Sequence, residues 1–97
     1  MADAQETSKN RAIVTVLGKD APGIVAAVAS TLARQNVNIL DITQTILSGI
    51  FTMTMFVEFS DGANFSSVKT DLEELAGQLN VQVNMEREEV FTYMYRI

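Results

Sequence analysis

Few residues in this 97-residue chain can do chemistry, and their types narrow its function before any fold is considered. Histidine and cysteine are both absent. Without imidazole there is no general base of the commonest kind, no Ser-His nucleophile pair and no nitrogen ligand for zinc or copper. Without thiols there are no disulfides, Fe–S clusters, zinc ribbons or thiol nucleophiles, a composition compatible with a cytoplasmic protein. Carboxylates remain, and Glu73-Glu74 and Glu88-Glu89 stand side by side. Adjacent residues do not face one another on a helix, so these pairs read as solvated surface or as partners of a helix dipole. Seven Lys and Arg against twelve Asp and Glu give a net charge of −5, which leaves no basic field to attract nucleic acid or an anionic membrane. The expectation is a non-enzymatic protein with no catalytic residue, metal or cofactor.

One short segment does concentrate distinctive residues: Gly18-Lys19-Asp20-Ala21-Pro22-Gly23. Gly18 can break a strand, Asp20 can cap a helix, and proline is tolerated in a helix only in the first turn. A strand-to-helix turn is the natural reading. A second polar residue, Asn38, interrupts the β-branched run that follows.

The flanking elements must hold these residues in place. Ala12 to Leu17 is apolar on both alternating faces, the pattern of a central strand covered on both sides. Ile24, Val25, Val28 and Leu32 recur at helical spacing, and that helix should end near Gln35 or Asn36. Val37 to Leu47 is extended, with Leu40, Ile42 and Ile46 on one face and Asp41, Thr43 and Thr45 on the other. Ser48-Gly49 signals a turn, and Phe51 to Phe59 then alternates as the second arm of a hairpin. Asp61 to Asn64 breaks that arm before a second helix bearing Phe65, Val68, Leu72, Leu75 and Leu79, with Gly77 near its end. Val81, Val83 and Met85 alternate with Gln82, Asn84 and Glu86 in a fourth strand suited to an edge.

The order β-α-β-β-α-β predicts an α+β, ferredoxin-like sandwich, with a four-stranded antiparallel sheet and two helices on one face. Residues 1–10 are polar, lack the apolar centre of a secretory signal and read as a flexible tail. No apolar run approaches the roughly 20 residues of a membrane span. Residues 11–97 read as one domain whose last segment, from about Glu88, fits two patterns. Val90, Phe91, Met94 and Ile97 suit a helix, and Phe91, Tyr93, Tyr95 and Ile97 suit a strand. The acidic start and Arg96 near the end suit the dipole of a short helix, which is the reading taken.

Several tenants of this architecture lack their residues here. Ferredoxins and copper carriers need cysteine, and a nucleoside diphosphate kinase needs its histidine. An RNA-recognition module wants basic residues beside its aromatics, whereas the third strand runs Phe51-Thr52-Met53-Thr54-Met55-Phe56. An acylphosphatase wants a loop arginine, but Lys19 is the only cation from Gly18 to Gly23.

The loop Gly18-Lys19-Asp20-Ala21-Pro22-Gly23-Ile24-Val25, followed by Asn36-Val37-Asn38-Ile39 at the second strand, resembles the ACT domain family, and in particular its stand-alone members. The resemblance covers Arg11 to about Arg87, and the tail from Glu88 is similar to the short extension of that branch. It implies a regulatory domain that binds an amino acid or similar effector between two paired copies. It further implies that Gly18, Lys19, Asp20 and Gly23 line the site while Asn38 reaches it from the partner. The chemistry is consistent. Glycines admit close backbone approach, helix-start amides attract a carboxylate, and Asp20 or Asn38 can satisfy an ammonium. The Gly18 and Asp20 positions depart from members that carry a polar side chain and an amide there, so the particular amino acid is left open. A second reading stands beside this one: a structural or protein-interaction module in which Asp20 caps the helix, Pro22 and Gly23 shape its first turn, and Asn38 only begins a strand.

Overall fold

Residues 11–19 form the strand on which the rest of the sheet is assembled. The computed structural model of the chain describes residues 10–89. Its elements are β1 (Arg11–Lys19), α1 (Ile24–Arg34), β2 (Val37–Leu47), β3 (Ile50–Phe59), α2 (Phe65–Leu79) and β4 (Gln82–Arg87). The sheet order is β2-β3-β1-β4, with every neighbouring pair antiparallel. This is the expected ferredoxin-like topology, with β1 inside and β4 at an edge. The expected loose tail falls outside the described residues except for Asn10. The expected C-terminal helix also lies outside them beyond Glu88 and Glu89, which are helical.

One face of the sheet carries the core. Ala12, Val14 and Val16 of β1 align with Val57, Met55 and Met53 of β3, and Val14 aligns with Met85 of β4. All of these are buried, together with Ile24, Val28 and Leu32 of α1 and Val68 and Leu72 of α2. Full burial of side chains this size contributes about 1.5 to 3 kcal/mol each relative to exposure. Thr31 is the one polar residue buried among the described residues, and its hydroxyl donates to the Ala27 carbonyl at 2.9 Å. The opposite face of β1 differs from expectation. Ile13 and Thr15 are half-buried there and Leu17 is 44% exposed, because both helices pack on the Val14 side.

The hairpin between β2 and β3 turns on Ser48 and Gly49, whose φ values of 54° and 80° are both positive, as a tight two-residue connection of twisted strands requires. A register shift between Ile39 and Asp41 bulges β2 at Leu40. Before it, Val37 and Ile39 point to the core side; after it, Ile42, Gln44 and Ile46 do, in register with Met55, Met53 and Phe51. An unbroken alternation from Val37 would have placed Asp41 under the helices. The bulge instead sends Asp41 to the Phe56 side, where its carboxylate accepts from the Ile42 amide at 2.9 Å.

Helix α2 is capped at both ends. The Asn64 side chain accepts from the Ser67 amide at 3.0 Å, and Asn80 closes the far end at φ 60°. The Ala76 carbonyl accepts from the amides of both Asn80 and Val81, the latter at 3.0 Å. That bond fixes Val81 against β1, where only a glycine fits: a Cβ at Gly18 would stand 2.7 Å from Val81 Cγ1 and 3.0 Å from its Cβ. Gly18→Ala is therefore expected to cost about 1 to 3 kcal/mol in urea unfolding, the usual penalty for overpacking. Adding Val81→Ala should recover part of that loss; full additivity of the two substitutions would show that the contact is not the cause.

Candidate functional site

Strand β1 delivers four of the five sequence-predicted site residues to one end of the sheet. Lys19 is its last residue and lies opposite Ile50 of β3. One more backbone bond, from the Asp20 amide to the Gly49 carbonyl at 2.9 Å, ties the following loop to the β2–β3 turn. Residues 19 to 23 are all exposed. Helix α1 then begins at Ile24 with Gly23 as its N-cap, at φ 88°, and the Ala27 amide donates to the Gly23 carbonyl at 2.9 Å.

This differs from the cap expected of Asp20. No side chain caps α1, and no acidic residue occupies its first turn. Pro22 precedes the cap rather than occupying the first helical turn. The amides of Ile24, Val25 and Ala26 consequently lack a side-chain acceptor, and the positive end of the helix dipole is uncompensated. That is the electrostatic arrangement that suits an anion. Lys19 and Asp20, one of each charge, precede the cap residue Gly23 by four and three positions.

Gly18 belongs to the same end, but its missing side chain is already accounted for by Val81. A hollow of about 340 Å³ touches it, lined by Leu17, Asn80, Val81 and Gln82, and a hollow of about 690 Å³ runs along β4 between Thr15, Ala76 and Asn84. Neither is lined by any residue from 19 to 23.

Asn38 is not brought to this end. It is exposed at the start of β2 and lies opposite Glu58, whereas Gly18 lies opposite Phe51. Glu58 and Phe51 are seven residues apart on β3, a separation of about 23 Å at about 3.3 Å per residue. No amino-acid-sized ligand spans that distance, so one chain cannot present both Asn38 and the loop to the same molecule. What lies between them is β2 itself, an edge strand on which Leu40, Ile42, Ile46 and Leu47 are exposed.

Sequence reasoning did not single out Ile50, Leu47 or the Gly49 carbonyl, although the loop is tethered to that turn. The signal available was the β-hairpin itself, since antiparallel pairing of β1 with β3 necessarily brings the hairpin turn beside the end of β1. Glu73 and Glu74 are exposed on α2, and among the described residues no group of three or more potential metal ligands occurs. No helix of the described residues is long and apolar enough to cross a membrane.

This βαββαβ topology is shared with a known family of domains. A model of the ACT domain matches residues 10–86, and the chain belongs to this family of regulatory, ligand-binding domains. A UPF0237 protein of Bifidobacterium longum is 44% identical over 89 residues, covering 91% of this chain and 99% of the relative. A UPF0237 protein of Methanocaldococcus jannaschii matches with the same identity and coverage. Among solved structures, an ACT domain protein from Streptococcus pneumoniae superposes with a TM-score of 0.75 at 38% identity, covering 84% of this chain and 93% of its own.

The left-handed cap gives a direct test of the loop. A Cβ at Gly23 meets nothing within 4 Å, so the penalty of a side chain there is conformational alone. Gly23→Ala is expected to lower stability by about 1 to 2 kcal/mol, and Gly23→Asn by less, because asparagine tolerates this backbone region better. Equal melting of all three proteins would mean that the cap conformation does not hold in solution.

Proposed function

We propose that this ACT domain senses an amino acid, held between two copies of the chain paired along β2, and conveys its presence to an enzyme or regulator without catalysing a reaction itself. The observation that carries this reading is that Asn38 begins the exposed edge strand β2 while the loop that follows β1 stands at the opposite, hairpin end of the sheet. When two antiparallel β2 strands pair about a two-fold axis, the start of each lies beside the end of the other. Asn38 of each copy then approaches the hairpin end of its partner, where residues 18–23 stand. The α1 amides offer a place for the ligand carboxylate, and Asp20 with the second copy's amide offers partners for its ammonium. The apolar edge residues Leu40, Ile42 and Ile46 would be covered by the same pairing. The reading includes a cytoplasmic setting, with no nucleic-acid or membrane partner, in keeping with the charge and cysteine content.

The alternative, an interaction module without a small-molecule ligand, has one observation in its favour. Val81 accounts for Gly18, and the left-handed cap accounts for Gly23, so folding alone requires both glycines.

Three measurements separate the two. Light scattering at micromolar concentration should return at least a dimer, and a monomer would remove the shared site. In a thermal-shift screen of the common amino acids, a ligand at 100 times its Kd should stabilise the protein by about 2.7 kcal/mol; no response to any of them favours the interaction module. With the amino acid found, Asn38→Ala should weaken binding by about 1 to 3 kcal/mol in calorimetric titration while leaving the dimer intact. Unchanged affinity would take Asn38 out of the site.

A further inference from the structure

The two helices cover one face of the sheet, and the opposite face changes character along its length. At the end where β2 turns into β3 it is apolar and nearly uncharged. Leu47 and Ile50 pair across the hairpin and are 75% and 51% exposed, and Leu17 of β1, one row further in, is 44% exposed. Thr45 and Thr52 share the row of Leu17, and Thr43, Thr54 and Thr15 make the next. Strand β4 extends these two rows with Gln82 and Asn84. Lys19, beside Ile50 at the rim, is the only charge in the three rows. Carboxylates begin beyond them, at Asp41, Glu58 and Glu86.

Large aliphatic side chains left in water are stabilised by burial, and a contiguous apolar patch rimmed by polar groups marks a contact site. The chemistry of this patch suits a second copy of the chain. With a net charge of −5, two copies repel one another wherever acidic surfaces meet. These rows hold no carboxylate, so two copies approach here without that penalty. Their polar groups are also self-complementary. A threonine hydroxyl or a carboxamide both donates and accepts, and a face built from them satisfies a copy of itself, which a face of carboxylates or of ammonium groups cannot. A two-fold contact requires that property, because it sets one patch against the same patch.

Size decides how many copies take part. Four strands about 4.8 Å apart and three rows about 6.7 Å apart span about 380 Å² in plan. Each partner of a stable complex buries about 800 Å², so a single patch supplies about half of what is needed. When two copies join along β2, the antiparallel pairing turns both open faces to the same side. The pair then offers two patches, about 760 Å² together, one near the hairpin end of each half. We propose, on the footing of that pairing, that a pair of chains joined along β2 stacks through these two patches on a second pair, open face to open face, as a tetramer. A two-fold axis lying between the layers, along the diagonal that joins the patches, covers both at once. The helices of every copy then face outward.

Sedimentation or light scattering of the full chain tests the stacking with substitutions on two different strands. The wild-type protein should be a tetramer at sub-millimolar concentration. Leu17→Glu on β1 and Ile50→Glu on β3 each set like charges against one another between the layers, and each should halve the mass to that of a dimer. Both side chains are exposed in the single chain, so the far-ultraviolet spectrum should not change. The two variants are independent, and misfolding of one leaves the test to the other. Ser66→Glu adds the same charge to the exposed surface of α2 and should remain a tetramer. A tetramer that both sheet substitutions leave intact overturns the stacking. A wild-type dimer also overturns it and leaves the face to a partner of another sequence. The pairing along β2 then stands if Leu17→Glu remains a dimer and falls if it becomes a monomer. A wild-type monomer overturns both.

Discussion

The two-sided pairing of β1 is the constraint on which the structure depends. From Ala12 to Leu17 this strand is bonded to β3 on one side and β4 on the other. Its neighbours are far away in sequence, so the two helices must return the chain across the sheet to place them. The alternate residues Ala12, Val14 and Val16 make the floor on which both helices rest. The strand also ends at a defined point, because its last rung and the Asp20 bond to Gly49 tie it to the hairpin turn. The position and direction of the α1 start follow from that anchor.

Much of this was legible from residue patterns, and the exceptions have physical reasons. Element order and the central place of β1 followed from period-two and period-3.6 hydrophobicity, which burial imposes directly. The bulge at Leu40 was visible only as a change of phase, apolar at odd positions through Ile39 and at even positions from Ile42. Its location depended on the pairing with β3. Asp20 looked like a helix cap because capping propensity is local, yet the loop is held by Gly49, a residue almost thirty positions away, and Gly23 takes the cap. Nothing near Gly18 in sequence announces Val81, which arrives through the C-cap of α2.

The candidate site shows a more general difficulty. A glycine that folding requires and a glycine that a ligand requires are the same residue in the sequence, and here both Gly18 and Gly23 have folding reasons of their own. Asn38 has no such reason: its side chain is exposed at the beginning of an edge strand. The uncapped first turn of α1 likewise adds nothing to the stability of the domain, since a side-chain acceptor there would add to it. Features that cost stability or leave it unchanged are where function is best sought, and in this chain they lie at opposite ends of the sheet.

The unequal edges of the sheet fix how many neighbours the molecule can take. Strand β2 offers eleven residues with aliphatic side chains in solvent. Strand β4 offers six, of which Gln82, Asn84 and Arg87 are exposed. A second strand finds a long, apolar template on one side and a short, polar one on the other. The domain is thus monovalent in its backbone contacts: whatever joins β2 uses up the adhesive edge and leaves only β4 edges outside. On the proposed pairing along β2, assembly through the sheet edges would therefore stop at two copies.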